Sequence, residues 1–190
     1  MPAPATTSQR ILDLAERLVQ TRGYNGFSYA DIAGSLGMTK ASLHYHFPAK
    51  AALGRSLISR YEKNFLTALA AIDGGGKGAL DKLHRYAAIY ASVLSDDRMC
   101  LCGMLAAEYA TLPKPMQKEL RHYFEENERW LGAVLEEGRR AGELRFAGTA
   151  RDVAGMLLSS LEGAMMLARS YGDVKRFRSV ADRLIGELAA

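Results

Sequence analysis

Apolar residues three or four apart recur in segment after segment of this 190-residue chain, and no stretch alternates as a half-buried strand would. Ile11, Ala15, Leu18 and Val19 share one face of a helix that Ser8 can cap and Gly23 stops. Leu53, Leu57, Tyr61, Phe65, Leu69 and Ile72 form a stripe over residues 50–72, broken by Asp73-Gly-Gly-Gly76. Further helices are predicted over about 78–95, Cys100–Thr111, 116–141, 149–170 and 173–188. Two short ones fall between residues 28 and 47. The reading is an all-α protein of about nine helices.

Composition narrows the class. With 48% hydrophobic and 24% charged residues, the chain is neither disordered nor a fibrous rod. The longest uncharged apolar run, Val153–Leu161, is too short to cross a bilayer, so no membrane partner is expected. Residues 1–8 lack the basic start and apolar core of a secretory leader. Cys100 and Cys102, one residue apart, make a poor structural disulfide, which predicts a cytoplasmic location. The net charge of +4 sits entirely in the first third. Residues 1–63 hold eight Lys and Arg against four Asp and Glu, and the remainder holds 17 of each. That asymmetry suits an N-terminal module that meets a polyanion, attached to a neutral body.

Residues Ser28–Phe47 (SYADIAGSLGMTKASLHYHF) hold the most chemistry. Ser28 caps a helix with Asp31 as its capping-box partner. Ile32, Ala33 and Leu36 face one way, and Gly37 ends the helix in a left-handed conformation. A second short helix follows Met38-Thr39, with Leu43 and Phe47 turned inward. A small residue at the crossing, a glycine in the turn and flanking apolar residues are what a helix-turn-helix needs. An αα-hairpin that merely packs shares this pattern. The polar crowd Thr39, Lys40, Ser42, His44, Tyr45 and His46 favours a helix that meets base edges and phosphates in the major groove.

Helix 1, this segment and the run to Leu53 resemble the DNA-binding domain of TetR-family transcriptional repressors. The matches are Ile32, Ala33, Gly37, Met38, Thr39, Ala41, Ser42, Leu43, His46, Phe47, Lys50 and Leu53; His44 stands where tyrosine is usual. The resemblance implies a three-helix DNA-binding domain over 1–50 and a helical ligand-binding and dimerisation domain over 51–190. It places Thr39, Lys40, Ala41 and Ser42 at base edges. Ser28, Tyr29, His44, Tyr45, His46 and Lys50 fall at or beside phosphate-contacting positions. For His46 a capping or packing role stays open.

The family dimerises through its last two helices. The 149–170 helix is apolar nearly all round and needs cover on two sides. Met156, Ser159, Ser160, Leu161, Gly163 and Met165 are therefore expected at a homodimer interface, against the alternative of a central helix in a monomer. An effector is expected inside the second domain, with the 50–72 helix as the lever between domains. The expected lining is Tyr61, Phe65, Tyr86, Ile89, Tyr90, Met99, Cys100, Met104, Leu105, Glu108, Tyr109, Tyr123, Phe124, Trp130 and Met165. Each of these could equally be plain core. Together they suit an apolar or aromatic compound, with Glu108 as a polar anchor in an apolar setting. The stretch Cys100-Leu-Cys-Gly-Met-Leu-Ala-Ala-Glu108 is similar to a segment of family members that respond to acrylate or electrophiles. Arg98 and a helix start beside Cys100 would favour its thiolate, against the alternative of two inert buried thiols.

Two function classes follow: a ligand-released, dimeric repressor on a palindromic operator, or an enzyme on a helical scaffold. The sequence has no phosphate loop, no nucleophile elbow and no carboxylate pair near a histidine. No catalytic residue, cofactor or metal site is expected, because His84 and His122 have no Cys or His at ligand spacing.

Overall fold

A computed structural model describes residues 5–190 and contains nine α-helices among them. They are α1 (Thr7–Arg22), α2 (Tyr29–Leu36), α3 (Lys40–His46), α4 (Lys50–Asp73), α5 (Ala79–Ser95), α6 (Leu101–Ala107), α7 (Lys114–Ala141), α8 (Ala150–Ser170) and α9 (Val174–Gly186). A 3₁₀ turn at Tyr109–Thr111 lies between α6 and α7. The described residues hold no strand, only one isolated bridge between Leu144 and Ala189. Residues 1–4, on which part of the leader reading rests, lie outside the described residues.

Two boundaries differ from expectation. The cap of α1 is Thr6, whose Oγ1 accepts from the Gln9 N–H while the Gln9 side chain accepts from the Thr6 N–H. Ser8 is already helical. The helix expected over 100–111 ends at Ala107. Beyond it the Thr111 hydroxyl donates to the Glu108 carbonyl at 2.9 Å, taking that acceptor out of an α-helical ladder. Pro115 then sits in the first turn of α7, where its missing N–H is harmless.

The chain divides into two compact units. The first combines the N-terminal part through Lys63 with Leu101–Arg121. Its core includes Ile11, Ala15 and Val19 of α1, Ile32 and Ala33 of α2, Leu43 of α3, Leu53, Leu57 and Ile58 of α4, and Leu101, Leu105 and Met116 of the inserted segment, all buried. The second combines Asn64–Cys100 with His122–Ala190. There α5, α8 and α9 pack together around Leu83, Ala87, Leu157, Leu161, Met165, Phe177 and Ile185. Helices α4 and α7 each supply residues to both units.

Candidate nucleic-acid interface and effector cluster

Local chemistry sets the short helix pair. The Asp31 carboxylate accepts from the Ser28 N–H at 2.7 Å and from its hydroxyl at 2.6 Å. Those two bonds hold the Asp31 carboxyl below its usual range. Gly37 ends α2 with φ at 64°, and the Met38 N–H reaches back to the Ala33 carbonyl at 3.0 Å. Thr39 Oγ1 then accepts from the Ser42 N–H at 3.1 Å and starts α3.

Buried Leu43 and Phe47 hold α3 by one side. Thr39, Lys40, Ala41, His44 and Tyr45 are left exposed, and Ser42 is half-buried. Tyr45 is 85% exposed, a large ring left in solvent at the middle of a polar face. Ser28 is exposed at the start of α2, with Tyr29 half-buried beside it. The end of α3 is tied down. The Tyr29 hydroxyl donates to the Phe47 carbonyl at 2.9 Å, and burial pushes its pKa up to about 12. His44 Nδ1 lies 3.1 Å from the Pro48 carbonyl, which can only accept, so this nitrogen bears the proton.

Two residues expected at phosphates are engaged within the unit. His46 Nδ1 lies 3.0 Å from Ser8 Oγ on α1. The Lys50 ammonium sits 4.7 Å from the Tyr24 ring centre and 4.2 Å from that of Phe27, and donates to the Phe27 carbonyl. That burial lowers its pKa, while Glu108 and Asp31 act to raise it. Arg60 donates to Asp13 and Glu16, both at 2.6 Å, tying α4 to α1.

The expected effector residues divide between the units. Tyr61, Met104, Glu108 and Tyr109 belong to the first. Glu108 departs from the apolar setting read from its neighbours. Its carboxylate accepts from the Tyr24 N–H at 2.5 Å and the Asn25 N–H at 3.1 Å. The Tyr109 ring is exposed and its hydroxyl accepts from Arg121.

The second unit brings Phe65, Tyr86, Tyr90 and Trp130 together. The Phe65 ring meets Tyr86, Tyr90 and Tyr123 edge-on, with centres 5.9, 6.3 and 5.5 Å away. Tyr86 stacks on Trp130 at 5.5 Å, and Tyr90 on Phe177 at 6.4 Å. Tyr86 donates to Asn127 Oδ1 at 2.9 Å and lies 3.0 Å from the Tyr90 hydroxyl. Burial raises the pKa of both tyrosines. Phe124 packs on Tyr123, and Met165 is buried.

Cys100 is buried in this unit. Its neighbour is the Glu162 carboxyl, which it hydrogen-bonds. Arg98, expected to favour the thiolate, donates to Asp96 at 2.6 Å. Glu162 Oε1 is sequestered without a hydrogen bond, and burial lifts its pKa to about 7. Asn127, Glu162 and Phe177 were not among the expected lining residues. The polar pair sits in apolar helical stripes, where spacing gives no reason to single it out.

Two surface grooves mark the second unit. One of about 330 Å³ runs between α5 and α9, past His84, Ala87, Ala91, Phe177 and Asp182. The other, of about 600 Å³, lies between α7 and α8 and is lined by Glu125, Glu128, Arg129, Glu136 and Arg151. Neither is lined by an expected effector residue.

On α8, Leu161 and Met165 face inward, contrary to the interface reading. Met156 and Ser159 are exposed, and Ser160 and Gly163 half-buried. Met166, Leu167 and Tyr171 continue that bare face, with Leu167 63% exposed. Among the described residues no helix is long and apolar enough to cross a membrane, and no His, Cys, Asp and Glu cluster could hold a metal.

The family of bacterial regulatory proteins of the tetR type matches residues 11–57, and a tetracyclin repressor-like C-terminal domain matches residues 79–184. A solved transcriptional regulator of the TetR family from Agrobacterium tumefaciens is 34% identical, with a TM-score of 0.93 over 96% of this chain and 97% of that one. Nucleoid occlusion factor SlmA of Cronobacter sakazakii is 29% identical over 89% of this chain and 84% of its own length. The biofilm operon icaADBC HTH-type negative transcriptional regulator IcaR of Staphylococcus epidermidis is 24% identical over 62% of this chain and 60% of its own length. With the helix-turn-helix and the helical body both matched, this chain belongs to the TetR family of DNA-binding transcriptional regulators and is not an enzyme.

Proposed function

We propose that this chain is a cytoplasmic, homodimeric repressor that holds a palindromic operator and leaves it when a small effector is bound. Residues 1–50 act as its DNA-binding domain and 51–190 as its effector and dimerisation domain. The observation that carries the reading is the exposed polar face of α3, anchored from behind by buried Leu43. Thr39, Lys40, Ala41 and Ser42 meet base edges. Ser28, Tyr29, His44 and Tyr45 lie towards the phosphates. Dimerisation through the bare face of α8 sets two copies of α3 about 34–36 Å apart or somewhat more, in successive major grooves.

The effector is a reversible apolar or aromatic ligand of the Phe65, Tyr86, Tyr90 and Trp130 cluster. An electrophile acting on Cys100 is less well supported, because that thiol is buried beside a carboxyl. Release requires the effector to prefer the DNA-incompetent arrangement. A coupling of about 1–3 kcal/mol weakens operator binding by about 5–150-fold. Helix α4, with residues in both units, is the lever.

Selection from a random duplex pool, followed by gel shifts over a salt series, tests this. A duplex should be selected, with affinity falling steeply as salt rises. Lys40→Ala and Ser42→Ala should alter sequence preference. If both leave DNA binding untouched, α3 is not the reader. Release of wild type but not Cys100→Ser by N-ethylmaleimide would reverse the preference for a reversible ligand.

A further inference from the structure

The turn between α1 and α2 is built around a carboxylate from far along the chain. The Tyr24 and Asn25 amides converge on Glu108 and form a concave backbone nest for an anion. Gly23 makes the nest possible. Its φ is 84°, and a Cβ there would lie 2.9 Å from Glu108 Oε2. A second tie joins the same two segments, from Asn25 Nδ2 to Thr111 Oγ1 at 2.7 Å. The turn continues through Tyr24 and Phe27, whose rings flank the Lys50 ammonium. Lys50 in turn opens α4 just after α3 and is pinned to the Phe27 carbonyl. Glu108 is thus connected to the end of α3 through one turn and one side chain.

We propose that Glu108 is a positioning residue for DNA binding, fixing the α1–α2 turn and, through Lys50, the seating of α3. The proposal rests on the DNA-binding reading of α3. Glutamine at this site would keep the volume but offer one acceptor oxygen. Its amide N–H would face the second backbone N–H, donor against donor.

Full-length wild type and Glu108→Gln are compared on the duplex that wild type selects from a random pool and on a scrambled duplex. The selected duplex should be bound about tenfold more weakly by the variant, the order expected for losing a charge-assisted hydrogen bond. Affinity for the scrambled duplex and the salt slope should not change, because Glu108 touches no phosphate. Hydrogen exchange at the Tyr24 and Asn25 amides should quicken without DNA. A lower melting midpoint with unchanged affinity of the folded protein would overturn the proposal and leave the DNA reading standing. If wild type selects no duplex, the DNA reading falls and takes the proposal with it. Should Glu108→Gln fail to fold, Asn25→Ala removes the side-chain tie to Thr111 and leaves the Asn25 amide on Glu108. A loss of about threefold is then expected for one neutral hydrogen bond, and no loss overturns the proposal.

Discussion

The two units differ in what joins their elements. The first joins its elements with ions: Glu108 on two turn amides, Lys50 between two rings, and Arg60 across Asp13 and Glu16. The second relies on a packed set of aromatic rings. Its buried hydrogen bonds run between neutral groups, from Tyr90 to Tyr86 to Asn127. Charge-assisted bonds are directional, so they fix angles between short helices that share little apolar surface. Ring packing is less directional and holds its parts by shape. Two charged groups of the second unit depart from this: Glu162, with an unfilled oxygen, and buried Lys82, which donates to Glu137 at 2.8 Å.

The largest expected effect tests the bare face of the second unit. Leu167→Arg puts a charge where a partner subunit should lie, and sedimentation should show monomers with an unchanged melting midpoint for the second unit. Dimers that persist would sink the α8 interface. Next comes the neutral network. Asn127 is 1% exposed, so Asn127→Ala should cost about 2–4 kcal/mol in denaturant titration, through a cavity and an unpaired Tyr86 hydroxyl. A loss near zero would mean that the network is incidental to the packing.

Glu162 gives a pH-dependent contrast of comparable or smaller size. Its pKa is raised from 4.5 to about 7, so the fold favours the protonated form. That contribution is complete below about pH 4.5 and disappears as the pH rises through 7. Glu162→Gln should therefore stabilise the protein by at most about 3 kcal/mol at pH 8 and hardly at all at pH 4. Equal melting shifts at both values would remove Glu162 as a buried acid. The smallest effect belongs to the first unit. Lys50→Met should lower stability by about 1–2 kcal/mol, through the lost cation–π contact and hydrogen bond. The salt slope of DNA binding should stay the same. A slope reduced by about one would restore Lys50 as a phosphate contact.

Much of the first unit was legible because its signals are local. Ser28 with Asp31 and Gly37 at a left-handed turn each act within a few residues, and the structure has them as read. The nine-helix count was legible for the same reason: apolar period and breakers are properties of short windows. Side-chain destinations were not. Glu108 looked apolar from its neighbours in sequence, but its partners lie more than 80 residues away. Lys50 looked free for phosphate and His46 stayed open between phosphate and packing, because nothing in a short window shows a ring or hydroxyl arriving from another helix. On α8 nearly every face looked apolar enough for an interface. Only packing against α5 and α9 separates inward Leu161 and Met165 from outward Met166 and Leu167.

The first unit is discontinuous, with residues 64–100 looped out between its two pieces. A chain emerging from the ribosome displays α1 to α3 long before Glu108 and Met116 exist to complete their support. Closing a loop of that length carries an entropic cost before its contacts form. The unit that holds α3 is therefore complete only once Arg121 has been made. Cutting the chain after Lys63 would leave a fragment without the nest's anion, so an isolated first unit requires residues 101–121 to be grafted back.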